Sequence, residues 1–240
     1  MSLLKAVIFG AIGVIAETSD LQRQAFNTAF REQGLDWDWN PETYRRLLSI
    51  NGGQARLRAF RDEEPPRSNV TDAMIATLHE RKTHHYATLI SDGTLMPRRG
   101  VAELIKTCQH AGIRVALCTS TSVDNVDAIK AALGNQLDFE AFASITTFDK
   151  IDAVKPAPDA YLHCLTQLGL AAHEVIAIED TPVSMASALA AGIAVIATPG
   201  AMTDDQDFSG AAMIIDNLEM LTLEQINAHL AQADPDTIAA

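Results

Sequence analysis

Val175-Ile176-Ala177-Ile178-Glu179-Asp180-Thr181-Pro182 is a short apolar run that ends in two acids and then meets a Thr-Pro pair. The apolar residues read as a strand buried on both faces. The Thr-Pro pair reads as a helix start, because the first helical position has no use for the amide that proline lacks. The same strand-to-helix pattern spreads outward. Upstream lie a helix over Val101–His110, a strand over Ile113–Cys118, a helix over Val123–Leu133, a strand near Phe142–Ile145 and a helix over Asp159–Leu168. Downstream follow a helix over Pro182–Ala191 and a strand over Ile193–Ala197. Strands alternating with helices predict a parallel sheet with right-handed crossovers.

Leu4–Phe9 reads as one more buried strand. From there to Pro97 every pattern is helical. Leu21, Ala25, Phe26, Ala29 and Phe30 fall at helical spacing, and Gly34 ends that helix. Pro41 opens another helix through Leu48, Asn51-Gly52-Gly53 is a turn, and a short helix holds Arg56 and Phe60. A polar loop at Asp62–Asn69 precedes a long helix from Thr71 to Leu89, and Trp37 and Trp39 are expected to pack between these helices. The prediction is an α/β core of residues 1–16 and 95–240, interrupted by a helical insert of residues 17–94. The tail after Ala231 is expected to fray.

The charge balance of 18 basic against 31 acidic residues, net −13, argues against nucleic acid and against an anionic membrane as partners. A small anion remains compatible, because a few local cations and amides override the global field. Cys108, Cys118 and Cys164 are odd in number and lack Cys-x-x-Cys spacing, so they read as buried thiols in a reducing compartment. The apolar run Ala6–Ala16 after Lys5 looks like the core of a signal peptide, yet it is too short to span a bilayer. Export would also remove a strand the sheet needs. The expected location is cytoplasmic.

Ligands of open parallel sheets sit beyond the carboxyl ends of the strands. Four such places carry chemistry: Gly10–Gly13, Thr119–Thr121, Lys155 and Glu179-Asp180. Amides and hydroxyls of Thr119, Ser120 and Thr121 can cradle a phosphate, or merely cap the next helix. Lys155, stiffened by Pro156 and Pro158, can neutralise a phosphate, though a lone lysine means little. Glu179 and Asp180 offer the hard oxygens Mg²⁺ prefers, or Asp180 simply caps a helix. Arg56, beside Gly52 and Gly53, either grips a second phosphate bidentately or is a solvated surface residue. His79, His84 and His85 share one helix and are read as surface residues rather than metal ligands.

Taken in order, Thr119, Lys155-Pro156-Ala157-Pro158-Asp159 and Glu179-Asp180 resemble the second, third and fourth motifs of the haloacid dehalogenase (HAD) superfamily. The insert's place after the first strand resembles the helical-cap subclass that includes β-phosphoglucomutase. Ala25-Phe26-Asn27, Gly52-Gly53 with Arg56, and Ser122 with Asn125 and Val126 look like its CbbY-type sugar-bisphosphate phosphatases. The resemblance covers residues 5–230. It implies a HAD-like Rossmannoid parallel core with a C1-type cap. It also implies a small phosphorylated metabolite or inorganic anion as ligand, held by Thr119, Ser120, Thr121 and Lys155 and met by Gly52, Gly53 and Arg56. Mg²⁺ is implied at Glu179 and Asp180.

The departures fall on the chemistry. The superfamily's first motif is Asp-x-Asp-Gly, its first Asp the nucleophile and its second the acid/base. Here Gly10 and Ile12 stand in those places, while Gly13, Val14 and Ile15 keep the register. Glycine offers no nucleophile and isoleucine moves no proton. Gln22, Gln54 and Ser184 also replace residues the resemblance would supply: a cap histidine, a cap lysine and a glycine. Losing one anionic ligand is expected to weaken Mg²⁺ binding. The leading expectation is a protein that keeps its anion site without aspartyl-phosphate turnover and serves as a sensor or binding partner. A rival expectation is a working phosphatase using water directly or a displaced acid, with Glu17, Asp20 and Asp149 as candidates. A third is a structural subunit without a ligand.

Overall fold

The structure is a computed structural model and describes residues 3–63 and 69–233. Most of the expected polar loop and the end of the expected frayed tail lie outside the described residues. The strands are β1 (Ala6–Phe9), β2 (Arg114–Cys118), β3 (Phe142–Thr146), β4 (Val175–Glu179), β5 (Ala194–Ala197) and β6 (Met213–Ile214). They form one parallel sheet in the order β3-β2-β1-β4-β5-β6. The chain crosses to opposite sides of β1 in its two halves, so the order reverses there. That reversal opens the crevice in which such sheets bind ligands.

Alternation along each strand splits the core in two. Val7, Phe9, Val115, Leu117, Ile176 and Ile178 belong to one apolar layer. Ala6, Ile8, Ala116, Cys118, Val175 and Ala177 belong to the other. All four residues of β1 are fully buried, as a central strand covered on both faces requires. The apolar run Ala6–Ala16 is therefore this strand and the turn after it. No helix of the described residues is long and apolar enough to cross a membrane. The three cysteines are free and buried.

Four helices lie between β1 and the next core helix: α1 (Ser19–Glu32), α2 (Pro41–Leu47), α3 (Gly53–Asp62) and α4 (Asp72–Ile90). Local signals start two of them. Asn40 accepts from Thr43 N with Pro41 at the first position, and Thr71 accepts from Met74 N. Their shared core is aromatic, built around Phe26, Phe30, Trp37, Trp39, Tyr44 and Phe60. Asn27 fixes Trp39 from both sides, accepting from its amide at 2.8 Å and donating to its carbonyl at 3.0 Å. The expected packing of both tryptophans between helices is what the structure shows.

The remaining helices are α5 (Val101–His110), α6 (Val123–Leu133), α7 (Asp159–Leu168), α8 (Pro182–Ala190) and α9 (Leu223–Ala233). β1 starts two residues later than expected. Leu4 N donates to the Asn227 side chain rather than to a neighbouring strand. β6 and α9 were not expected. A two-residue strand carries no periodicity, and the Ile226–Leu230 spacing that buries α9 is the faint signal that existed.

Candidate active site

β1 pairs Phe9 with Leu117 on one side and with Ile178 on the other. The next residues, Gly10, Cys118 and Glu179, therefore emerge level with one another. Gly10 N still donates to Ile178 O at 3.0 Å, and then the chain turns. Gly13 has φ +79° and lies against the Asp180 carboxylate, so a side chain there would be both strained and obstructed.

Gly10, Ile12, Thr119, Ser120, Thr121 and Lys155 line one side of a cavity of about 570 Å³, together with Glu179 and Asp180. The helical segment supplies the other side, including Gly52, Gly53 and Arg56. The structure thus gathers every residue singled out for binding in the sequence.

The cap of α6 is Ser122, which accepts from Asn125 N. Thr119, Ser120 and Thr121 are thereby spared from capping. Thr119 Oγ1 accepts from Thr121 N at 3.2 Å, and Asn125 Nδ2 donates to Thr121 Oγ1 at 2.6 Å. Ser120 Oγ donates to Asn51 Oδ1 at 3.1 Å, while Asn51 Nδ2 donates to Lys155 O at 2.7 Å. Asn51, read in the sequence only as a turn residue, is therefore a bridge between the helical segment and two of the strand-end loops.

Lys155 is buried, and its Nζ lies 2.5 Å from Glu179 Oε1. It also donates to Cys118 O at 3.3 Å and sits 4.9 Å from the Tyr161 ring centre. Tyr161 OH donates to the same Glu179 oxygen. Burial depresses the Lys155 ammonium, but Glu179, with Cys118 and Asp180, together overcome it and raise its pKa. Burial, then the Glu179 charge, push the Tyr161 phenol far up, so it stays a donor. The Glu179 carboxylate also fills ground beside Gly10. A Cβ built on Gly10 would stand 2.5 Å from Glu179 Oε2 and 2.8 Å from Val14 Cγ2.

A resident Mg²⁺ would need Glu179 and Asp180 as its anionic donors. Glu179 is already engaged by Lys155 and Tyr161. Burial, the neighbouring Glu179 and Glu17 carboxylates push Asp180 well up, toward the protonated acid. Among the described residues no three His, Cys, Asp or Glu side chains gather as a metal-binding group. Glu179 and Asp180 are a donor pair that Mg²⁺ could use, but with Glu179 engaged by Lys155 and Tyr161 they make a weak site, as loss of the first-motif carboxylate predicts.

The candidate displaced acids stay outside this cavity. Glu17 Oε1 accepts from Ser19 N at 2.9 Å, its other oxygen lies against Gly200, and the residue lines a separate cleft. Asp20 is tied to Arg23 and Gln24, and the exposed Asp149 is tied to Thr147. Arg56 lines the cavity. Its Nε donates to Ile50 O at 2.8 Å and Leu47 O at 3.2 Å, and its guanidinium lies 5.8 Å from the Tyr44 ring centre, so loop carbonyls hold it at the cavity wall.

His79 corrects the surface reading: it is largely buried and lines the cavity. Burial, then Lys82 and Arg56, bring its pKa down to about 4. His84 is exposed, and His85 pairs with Glu32 at 2.9 Å. Sequence reasoning missed Lys82 entirely. It lies buried in the same wall and donates to Gln22 Oε1.

The sequence profile of the haloacid dehalogenase-like hydrolases matches residues 4–192. Protein CbbY of Rhodobacter capsulatus is 42% identical over 223 residues, covering 93% of this chain and 97% of that protein. The crystal structure of CbbY from Rhodobacter sphaeroides in complex with phosphate superposes with a TM-score of 0.83 at 35% identity, covering 91% of this chain and 96% of that one. A mutant of that protein, crystallised with xylulose-(1,5)bisphosphate, superposes with the same TM-score, identity and coverage.

Proposed function

The chain belongs to the haloacid dehalogenase-like hydrolases, in the CbbY-like branch, and from that premise we propose that it binds a small phosphorylated metabolite without turning it over through an aspartyl-phosphate. The observation that carries this reading is the state of the strand end. Gly10 and Ile12 stand at its mouth, and the Glu179 carboxylate occupies the adjoining space. Covalent phosphoryl transfer needs an activated nucleophile, and general acid–base help is worth ~10²–10⁴-fold. Neither residue supplies either. Glu179 is the carboxylate that approaches the vacated position, but its ion pair with Lys155 and bond from Tyr161 draw off its nucleophilic electron density.

The binding frame supports the positive half of the proposal. Thr119, Ser120, Thr121 and Lys155 line the cavity. Gly52, Gly53 and Arg56 face them from a cap of residues 17–94, set on a core of residues 1–16 and 95–240. The relatives' crystal structures hold phosphate and a pentulose bisphosphate, so a sugar phosphate is the ligand class this frame suits.

Calorimetry with the purified protein tests the proposal. Inorganic phosphate or a sugar phosphate should bind saturably, and Mg²⁺ alone should give no stoichiometric micromolar isotherm. A panel of sugar phosphates with Mg²⁺ should release no phosphate. Turnover near ~1 s⁻¹, the low end of common enzyme values, would overturn it. A phosphorylated side chain trapped on the wild-type protein would do the same. Absence of binding by every phosphate would leave a purely structural subunit.

A further inference from the structure

The chain holds eight phenylalanines, three tyrosines and two tryptophans, and Phe148 alone among them is exposed, with 52% of its surface in solvent. Phe139 and Phe142 stack on each other, whereas Phe148 has no ring partner among the described residues. Its backbone is nonetheless fixed. Phe148 N donates to Thr121 O at 2.9 Å, and a 3₁₀ turn over Phe148–Lys150 holds the residues that follow. That bond seats Phe148 beside the strand-end hydroxyls, and it lines the same cavity.

Val154 repeats the arrangement beside Lys155. It directly precedes that buried lysine, is 39% exposed and lines the same cavity. Val154 O accepts from Ala157 N at 3.0 Å, so this residue too is held by its backbone while its side chain stays bare. Ile12 and Val183, both half-buried, add apolar lining at the Gly10 turn and in the first turn of α8. A lone exposed apolar residue is ordinary. Here two of them adjoin the groups that would hold an anion, in a cavity of ligand size, about 570 Å³.

We propose that this rim makes the protein prefer a phosphomonoester with an aromatic body over one with a polar body. The inference rests on the anion-binding reading above and adds what the phosphate carries. Thr119, Ser120, Thr121 and Lys155 take the charged head, and Phe148 and Val154 meet what projects from it. An aromatic ring entering there sheds water from its own face and from both side chains, and two rings gain further from offset or edge-to-face contact. Hydroxyls of a polyol meet only carbon on these two side chains, and they give up hydrogen bonds to water without replacement.

Calorimetry on the full chain with phenylphosphonate, methylphosphonate and glycerol 3-phosphate tests this. The two phosphonates share a head group on a carbon–phosphorus bond, so hydrolysis does not enter, and they differ only in the body. Phenylphosphonate should bind about tenfold more tightly than either of the others. Phe148→Ser should close that gap to about twofold, and Val154→Ser should narrow it independently. Both side chains are exposed, so neither variant opens a hole in the core. Equal binding of all three probes, or tighter glycerol 3-phosphate, would overturn the aromatic preference and leave the anion site standing. Binding of none would overturn both. A gap that survives in both variants would overturn the preference as a property of this rim. So would a loss that falls equally on methylphosphonate, since Phe148 would then shape the head-group site instead.

Discussion

Glu179 Oε2 stands 2.5 Å from the point where a side chain on Gly10 would begin, so the glycine is both the loss of a nucleophile and the room into which another carboxylate has settled. Lys155 and Tyr161 hold that carboxylate by its other oxygen.

Restoring the acids is therefore not a matter of position 10 alone. Gly10→Asp by itself should be destabilising by ~1–3 kcal/mol, the usual cost of overpacking, because Glu179 and Val14 must both move. Gly10→Asp with Ile12→Asp should release phosphate from a sugar phosphate at least ~10²-fold faster than wild type. Adding Tyr161→Phe should raise that rate again by freeing Glu179. A double variant as inert as the parent would show that the loss reaches beyond these two positions.

The Lys155–Glu179 pair predicts a stability effect. Both groups are buried, and removing one partner of a buried pair costs ~3–5 kcal/mol because the other is left uncompensated. Lys155→Met should show that loss in urea denaturation. Lys155→Met with Glu179→Gln should recover most of it. An equal loss in the single and double variants would mean that packing, not charge, sets the value.

His79 gives the acid limb of the stability curve a definite sign. Its pKa is about 4 in the folded chain against 6.5 ordinarily, with burial, Lys82 and Arg56 as causes. Between those values the unfolded chain binds the extra proton. The contribution is complete above pH 6.5 and is lost as pH falls toward 4. Over that window it amounts to roughly 3 kcal/mol. Melting temperatures of wild type and His79→Asn should converge as pH falls from 7 to 4, and parallel curves would contradict the assignment.

Much of this was legible before any coordinates. The helices Val101–His110, Val123–Leu133 and Asp159–Leu168 fall where the sequence puts them, since caps and turns bound them on both sides. The strand-end residues were legible too, because a parallel sheet aims its carboxyl ends at a common crevice. The cap's share of the cavity was not. His79 reads as a surface residue in the sequence because nothing local distinguishes a helix face that meets solvent from one that meets a pocket. Lys82 left a readable trace: it is a charged residue in step with Leu78, Tyr86 and Ile90, four apart on an otherwise apolar stripe. Asn51 left none, since an asparagine before two glycines is the ordinary composition of a turn.

Ser120 owns a single hydroxyl proton and gives it to Asn51, whose own amide hydrogen goes to the Lys155 carbonyl. An incoming anion that recruits the same hydroxyl takes it from Asn51. On the binding reading proposed above, cargo and helical segment would be rivals for one hydrogen atom, so phosphate should loosen the Asn51 clasp.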